Sequence, residues 1–142
     1  MIWENNPVYG PESMYGFIYR ITFLLDGRQY IGKKSYHVYK KSKKVKESNW
    51  KEYTSSSTEL NELIKEYGKE CFYFEILVEC PSKGSWSYME SNIMHKWNVL
   101  TEVDHHTGMR RYINKMIDAV RWIPRDCDIP LATLKRIEDG QG

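Results

Sequence analysis

The spacing of apolar and polar residues predicts a strand hairpin near the start of the chain. Residues 17–25 (FIYRITFLL) are rich in β-branched and aromatic side chains, and a second such run, residues 28–31, follows Asp26 and Gly27. An Asp-Gly pair between two strand-like runs favours a two-residue type I′ turn, because both central residues of that turn have positive φ. The pattern therefore predicts an antiparallel β-hairpin that turns at Asp26-Gly27.

This turn sets which side chains of the hairpin lie opposite each other. The expected pairs are Leu25 with Arg28, Phe23 with Tyr30, Ile21 with Gly32, and Tyr19 with Lys34. Because side chains alternate across a strand, Tyr19, Tyr30 and Lys34 are predicted on one face, around the bare backbone of Gly32. A shift of one residue would reverse the face. Such a surface suits a binding site, although tyrosines are also common in strands that do no chemistry.

Two helices and a third strand are predicted farther along the chain. Ser56 and Glu59 have capping-box spacing, and Gly68 ends a run of apolar residues at helical spacing, which are Leu60, Leu63, Ile64 and Tyr67. Residues 71–80 predict a central strand with one apolar face made of Phe72, Phe74, Ile76 and Val78. Residues 87–99 predict the second helix.

The remaining segments give weaker signals. Residues 33–50, which are rich in lysine, are expected to form a short helix followed by a loop. Residues 105–108 are expected to form a loop, residues 112–117 a short strand or helix, and residues 131–137 a last short helix.

The order strand, strand, helix, strand, helix predicts a small α+β domain, with a three-stranded antiparallel sheet flanked by helices. The 142 residues suffice for one domain with a real core. Its main module is expected over residues 15–115, followed by a C-terminal extension over residues 116–142.

Composition narrows the class of protein. Apolar residues make up 41% of the chain and charged residues 28%, as in soluble globular proteins. No apolar run is long enough to span a membrane, and the start MIWENNPVYG resembles no signal peptide, so no membrane partner is expected. Cys71, Cys80 and Cys127 form no CxxC pair, which favours free thiols in a reducing cytoplasm.

The charge distribution indicates a polyanion binder. Between positions 28 and 46 there are eight basic residues and no acidic one, namely Arg28, Lys33, Lys34, Lys40, Lys41, Lys43, Lys44 and Lys46. The net charge of the whole chain is only +2, so the rest of the chain carries a net negative charge. A basic lobe on an acidic body is typical of nucleic-acid-binding proteins, although a lysine-rich segment can also be a simple solvated loop.

Glu90 stands out on the second predicted helix. Trp86, Ile93 and Trp97 fall on one helical stripe, and Glu90 lies in the same arc. A carboxylate in an apolar stripe is costly unless it is paired or bound to a metal. Three interpretations stay open: a metal ligand, a capping box with Ser87, or a buried ion pair.

The hairpin resembles the signature of the GIY-YIG nuclease family. Phe17-Ile18-Tyr19 and Tyr30-Ile31-Gly32 are similar to its two tripeptides, with the second tyrosine eleven positions after the first, and Lys33 stands where the family often has a lysine. The stretch GFIY differs from the family's GIY by one phenylalanine. The element order agrees over roughly residues 15–115, and the resemblance is to phage-type and mobile-intron endonucleases.

The resemblance implies roles for several further residues. Glu90 would be the single carboxylate that binds a divalent cation, and Asn114 would be a positioning residue, unless it is an ordinary turn asparagine. The family's arginine, expected on a helix after the second tripeptide, is replaced here by Lys40, which lacks the two-pronged grip of arginine on phosphate. An accompanying tyrosine or histidine could be any of His37, Tyr36, Tyr39 and Tyr53.

The chemistry implied is metal-dependent hydrolysis of DNA that leaves a 5′-phosphate and a 3′-hydroxyl. A lone carboxylate at Glu90 suits Mg²⁺ or Mn²⁺, since such an ion keeps several waters and takes phosphate as a ligand. Tyr19 or Tyr30 would orient the attacking water, or accept its proton if a neighbour lowers the cost of a phenolate. Lys33, Lys34 and Lys40 would hold the phosphate.

The leading hypothesis from the sequence is thus a DNA endonuclease. DNA contacts are expected from Lys34, His37, Lys41, Lys43 and Lys44, in a monomer or a homodimer. The alternatives are a catalytically weak nucleic-acid-binding protein that retains the nuclease fold, and a subunit that acts only with a partner. A zinc site built from His95, Asp104, His105 and His106 is disfavoured, because adjacent histidines are seldom co-ligands.

Overall fold

A computed structural model of the protein describes residues 1–124. It contains five strands and two helices: β1 (Gly16–Phe23), β2 (Gln29–Ser35), β3 (His37–Lys40), β4 (Lys43–Glu47), α1 (Thr58–Tyr67), β5 (Phe72–Cys80) and α2 (Lys83–Lys96). Two single-turn 3-10 helices, Trp50–Glu52 and Lys69–Cys71, precede α1 and β5. No helix among the described residues is both long enough and apolar enough to cross a membrane.

The main sheet has the strand order β2-β1-β5, and both pairings are antiparallel. One face of the central strand β1 packs with Leu60 and Ile64 of α1, and the other packs with Met89 and Ile93 of α2. The sheet is therefore buried on both faces, with β2 at an edge. This arrangement confirms the predicted α+β class with a three-stranded antiparallel sheet.

The register of the β1–β2 hairpin differs from the prediction by two residues. Tyr19 pairs with Gly32 rather than with Lys34, and Ile21 pairs with Tyr30. The turn is longer than two residues, because the last ladder contact joins the amide of Phe23 to the carbonyl of Arg28. A shift of two leaves every side chain on its face, so Tyr19, Tyr30 and Lys34 still share one side of the sheet.

A bulge in β5 overturns part of the predicted apolar face. The register against β1 shifts between Ile18 and Tyr19, whose partners are Val78 and Ile76. Leu77 is the extra residue, so the alternation changes phase there. Val78 consequently faces α2 instead of sharing a face with Phe72, Phe74 and Ile76.

The lysine-rich segment forms a hairpin, so the prediction of a short helix and a loop was wrong. Strands β3 and β4 pair with each other in a separate two-stranded sheet, and Lys41 and Ser42 turn between them with positive φ. We name residues 37–47 the basic hairpin. Lysine is a poor strand former, which is why local propensity did not reveal it.

Both helices begin at positions other than those predicted. Ser57, not Ser56, caps α1 by accepting a hydrogen bond from the amide of Leu60. Ser82 caps α2 in a capping box completed by Ser85, so the helix begins at Lys83 and not at the predicted residue 87. Glu90 consequently lies well inside α2, which removes the interpretation of Glu90 as a capping residue.

The segment after α2 is irregular but well anchored. Residues 112–117 form neither a strand nor a helix, although Tyr112 makes an isolated bridge with Gln29 beside β2. Residues 105–108 form the predicted loop, in which the Asp104 carboxylate accepts backbone hydrogen bonds. The helix predicted over residues 131–137 and Cys127 lie outside the described residues.

Candidate functional site

A cleft of about 220 Å³ lies along the outer edge of β2. Tyr19 and Tyr30 reach it from the α1 side of the sheet, and Lys33 and Glu90 reach it from the α2 side. Asn114, from the segment after α2, closes one wall. The structure thus brings together five of the six residues that the sequence indicated as catalytic.

Gly32 shapes the floor of the cleft. A Cβ at position 32 would collide with the hydroxyl and ring of Tyr19, which is its cross-strand partner. The bare backbone lets the Tyr19 ring lie across β2 toward the edge of the sheet. The glycine of the tripeptide Tyr30-Ile31-Gly32 thus has a steric role in this chain, where only glycine fits under the phenol.

The two phenols lie side by side, with ring centroids 6.3 Å apart and planes inclined by 30°. Tyr19 is almost fully buried, and Tyr30 is half-buried. Burial raises the pKa of both phenols, that of Tyr19 strongly, and the Glu90 carboxylate raises both further. A hydrogen bond from Ser56 partly offsets the pKa shift of Tyr30. Both tyrosines are therefore neutral near pH 7 and act as hydrogen-bonding groups rather than as ready bases.

Glu90 projects from the middle of α2 and is only 8% exposed. Burial raises the pKa of its carboxyl to about 7, even though Lys33 lowers it, and Asp118 adds to the rise. Among the described residues, none donates a hydrogen bond to this carboxylate, and the nearest cation is the Nζ of Lys33 at 3.9 Å. Glu90 is thus a buried acid whose negative charge is incompletely compensated.

Lys33 occupies the α2 side of the cleft. Its Nζ donates a 3.0 Å hydrogen bond to Ser87 and lies 4.3 Å from the ring centre of Trp86. These contacts hold the ammonium beside Glu90 without forming a close ion pair. They leave the carboxylate accessible to a second cation.

Asn114 extends the hydrogen bonding of the edge strand. Its Oδ1 accepts from the amide of Ile31 at 3.0 Å, and its Nδ2 donates to the carbonyl of Ile31 at 2.7 Å. These bonds fix the backbone between Tyr30 and Gly32. Asn114 therefore positions the cleft, and its side chain, being 3% exposed, is not an ordinary turn asparagine.

Lys34 lies next to the cleft, on the face that carries the tyrosines. Its Nζ is 4.2 Å from the ring centre of Tyr53, and burial lowers its pKa. Tyr53 also packs edgewise against Tyr19 at 6.3 Å. Of the four candidates for the accompanying aromatic residue, Tyr53 is the one in contact with a cleft tyrosine, whereas Tyr36 donates its hydroxyl to Glu79.

The basic hairpin does not line the cleft. Lys40 is exposed at the end of β3 and is absent from the cleft wall, contrary to its expected place on a helix beside the two tyrosines. Lys41, Lys43 and Lys44 are likewise exposed on the hairpin. His37 is half-buried against Tyr39, and its Nδ1 has no hydrogen-bond partner in the described part of the chain.

Sequence reasoning missed several residues of the cleft wall. Ser56 bonds to Tyr30, while Lys115 and Asp118 bring a cation and a second acid into the cleft. No local pattern marks Lys115 or Asp118, and the capping-box spacing of Ser56 indicates a helix end and not a cleft. All three residues lie in irregular segments that only the tertiary fold brings to β2. The structure does not support the zinc interpretation, because residues 1–124 contain no group of three or more His, Cys, Asp or Glu side chains suited to a metal.

A family comparison agrees with this geometry. Residues 3–117 match the model of the family described as "Putative endonuclease segE, GIY-YIG domain", a segment that includes both sheets, both helices and every cleft residue except Asp118. No curated protein and no solved structure gives a significant match. The matched segment includes most of the chain and both tyrosine tripeptides, so this protein belongs to the GIY-YIG nuclease family.

Proposed function

We propose that this nuclease is a divalent-cation-dependent DNA endonuclease and that the cleft beside β2 is its active site. The observation that carries the proposal is Glu90, a buried acid with a pKa of about 7 that shares a cleft with two phenols and a lysine. A structural acid in that position would be expected to have a close partner. A catalytic carboxylate that awaits a cation would not.

The donor set of the cleft fits Mg²⁺ or Mn²⁺. Glu90 supplies one carboxylate oxygen donor on a rigid helix, and Asp118 adds negative charge to the same cleft. Hard divalent cations prefer such oxygen ligands and take the remaining ones from water and phosphate. A cation held there would neutralise charge on the scissile phosphate and the leaving oxygen, and would acidify the attacking water.

The phenols of Tyr19 and Tyr30 would orient the attacking water and a phosphate oxygen. Their raised pKa values keep both hydroxyls protonated, so they serve as donors and acceptors of hydrogen bonds. Water would attack phosphorus, the bond to the 3′ oxygen would break, and the products would be a 5′-phosphate and a 3′-hydroxyl, as the family resemblance implies.

Lysines would supply the positive charge that the family draws from an arginine. Lys33 and Lys115 line the cleft, and Lys34 lies beside it, whereas no arginine of the described residues does so. Each ammonium can offset transition-state charge, but without the paired hydrogen bonds of a guanidinium. A modest cleavage rate is the expected consequence.

Cleavage of supercoiled plasmid DNA by the purified protein tests the proposal. Nicked or linear product should form with Mg²⁺ or Mn²⁺ and should not form with EDTA. The ends should be religated by DNA ligase without kinase treatment, since ligase requires a 5′-phosphate and a 3′-hydroxyl. Absence of cleavage with either cation, together with salt-sensitive DNA binding, would favour the alternative of a nucleic-acid-binding protein with the nuclease fold.

A further inference from the structure

We propose that the basic hairpin inserts into a groove of duplex DNA and contacts phosphates on both of its walls. The inference rests on the proposed function, because it takes DNA as the substrate. It adds to that function a second contact surface, outside the cleft, and a specific form of nucleic acid.

Charge and exposure set the basic hairpin apart from the rest of the molecule. All residues from position 40 to position 47 are exposed, and five of the residues from 37 to 47 are lysines. In the described part of the chain, none of these lysines forms an ion pair, and the one acid, Glu47, accepts a hydrogen bond from Trp50. An unneutralised cationic ribbon of this kind suits a polyanion rather than an apolar partner.

Strand pairing places lysines on both faces of the ribbon. Lys40 pairs with Lys43, and Val38 pairs with Lys46, so these three lysines project from one face. Lys44 pairs with Tyr39 and projects from the opposite face. A partner that neutralises both faces must carry negative charge on both sides of the ribbon. A flat acidic surface or a single strand of nucleic acid carries its charge on one side only.

The groove of a DNA duplex meets this requirement. Its two walls are lined by phosphates, and the major groove, about 12 Å wide and about 8.5 Å deep, admits a two-stranded β-ribbon. The strands of the basic hairpin, with four and five residues, extend about 15 Å at about 3.4 Å per residue. Duplex RNA is a poor partner, because its major groove is too narrow for such an element.

The composition of the ribbon indicates affinity rather than sequence preference. Positions 37–47 contain no arginine, asparagine or glutamine, three of the side chains that read base edges with paired hydrogen bonds. Lysines that contact phosphates position the protein without distinguishing bases. The basic hairpin should therefore bind duplexes of different sequence about equally well.

An aromatic column connects the basic hairpin to the cleft. Tyr39 stacks on Tyr15 with centroids 4.7 Å apart, and Tyr15 packs on Trp86 at 5.0 Å. Trp86 in turn supports Lys33, whose Nζ lies 4.3 Å from the centre of its ring. A duplex bound by the basic hairpin would thus be held in a fixed relation to Lys33 and Glu90.

The salt dependence of DNA binding tests this inference. Binding of the full chain to a short DNA duplex and to the matching single strand is measured in EDTA over a series of salt concentrations. The triple variant Lys40→Gln, Lys43→Gln, Lys46→Gln should lower the slope of log K against log salt on duplex DNA by up to about 2.7, at about 0.9 for each phosphate contact. Lys44→Gln should lower it by about 0.9 from the opposite face.

A matched control removes the same charge elsewhere. Lys51, Lys65 and Lys69 are exposed outside the basic hairpin, and their triple change to glutamine should leave the slope nearly unchanged. An equal loss in this control, an unchanged slope in the hairpin triple variant, an unchanged slope in Lys44→Gln, or an equal loss on single-stranded DNA would each overturn the groove proposal.

Parallel plasmid assays separate this inference from the proposed function. Cleavage by the wild-type protein with an unaffected slope in the hairpin variants would reject the groove contact and leave the active site standing. Duplex binding that depends on the basic hairpin, without any cleavage, would reject the proposed function and leave the groove contact standing.

Discussion

The Nζ of Lys33 lies 3.9 Å from Oε1 of Glu90, across the cleft between β2 and α2. This separation exceeds hydrogen-bond distance, because Lys33 donates its close hydrogen bond to Ser87 instead. The pKa of Glu90 is raised to about 7 despite this nearby ammonium. One lysine at this distance therefore does not compensate the burial of the carboxylate, and a further positive charge in the cleft would stabilise it.

Replacement of Glu90 by glutamine should stabilise the cation-free protein at high pH. The pKa of Glu90 is raised from 4.5 to about 7 by folding, so the folded state holds this proton more tightly than the unfolded state does. Ionisation therefore costs the folded state nothing below pH 4.5, a growing amount between pH 4.5 and 7, and a constant amount above. That cost is about 3 kcal/mol at most, at about 1.4 kcal/mol for each pKa unit.

Urea unfolding in EDTA at pH 4 and pH 8 measures this difference. The gain of Glu90→Gln over the wild-type protein should be present at pH 8 and absent at pH 4. Glu66, an exposed acid on α1, provides the control, since Glu66→Gln should change stability little at either pH. A gain in stability of equal size at both pH values would show that ionisation of the buried carboxyl does not destabilise the folded state.

Replacement of Lys33 by methionine should move the pH dependence of cleavage upward. The ammonium of Lys33 lowers the pKa of Glu90, so its removal raises that pKa further. Cleavage requires the carboxylate in the proposed mechanism, and its rate should rise with pH through the pKa of Glu90. The midpoint of this rise should lie at higher pH in Lys33→Met than in the wild-type protein.

Initial rates of plasmid cleavage from pH 5 to pH 9 at subsaturating Mg²⁺ provide the comparison, because a saturating cation would itself hold Glu90 ionised. Lys65→Met, which changes an exposed lysine of α1, should keep the wild-type midpoint. A lower rate in Lys33→Met with an unchanged midpoint would show that Lys33 acts on the phosphate alone and does not lower the pKa of Glu90.

The sequence was sufficient to predict which side chains share a sheet face and most of the cleft residues. These features depend on the spacing of side chains along a strand or helix and not on the exact pairing of the strands. Tyr19, Tyr30 and Lys34 share a face in any register that differs by an even number of residues. Glu90 was identifiable because it interrupts an apolar helical stripe. A carboxylate at such a position costs free energy unless it is paired or bound to a metal, so its presence there indicates a role.

Features that depend on tertiary contacts could not be read from local patterns. The bulge at Leu77 reverses the direction of Val78, and the bulge carries no glycine that would mark it. The basic hairpin forms although lysine disfavours strands, with Tyr39 stacked on Tyr15 from a distant position in the chain. Asp118 enters the cleft from an irregular segment that has no periodic signal.

Replacement of Gly32 by alanine should disrupt the cleft without altering its charges. The new methyl group would overlap the Tyr19 hydroxyl and ring, so the buried phenol or β2 must move. Overpacking of this kind costs about 1–3 kcal/mol. Both the free energy of unfolding and the cleavage rate should fall.

Gly84→Ala provides a matched control for Gly32→Ala, because a Cβ there meets its nearest atom, Nε1 of Trp122, only at 3.4 Å. That variant lies in α2 and should be at least as stable as the wild-type protein, since alanine favours helices over glycine by about 1 kcal/mol. If Gly32→Ala matched it in stability and rate, the steric role of Gly32 would be refuted.

Replacement of Asn114 by alanine should leave two buried groups of Ile31 without partners. The amide and the carbonyl of Ile31 both bond to Asn114, and each unsatisfied group costs about 1–3 kcal/mol. Asn114→Asp keeps an acceptor for the amide but sets a second, charged oxygen against the carbonyl of Ile31, so it should lose stability as well. Asn6→Ala, at an exposed position, should lose almost none.

Urea unfolding ranks these three variants, and plasmid cleavage is then measured well below their midpoints. Cleavage by the folded Asn114→Ala protein should be slower than by the wild-type protein, because the backbone between Tyr30 and Gly32 is no longer fixed. Full activity in that variant would contradict a positioning role for Asn114.

The role of Glu90 as the ligand of a catalytic cation is tested most directly by one comparison. Plasmid cleavage by the wild-type protein and by Glu90→Gln is measured against Mg²⁺ concentration, and duplex binding is measured in EDTA. The variant should cleave about a hundredfold more slowly or worse at every Mg²⁺ concentration, since a bound cation supplies several kcal/mol of charge stabilisation. Its binding to the duplex should equal or exceed that of the wild-type protein. Cleavage by Glu90→Gln at the wild-type rate and with the wild-type Mg²⁺ dependence would contradict the account.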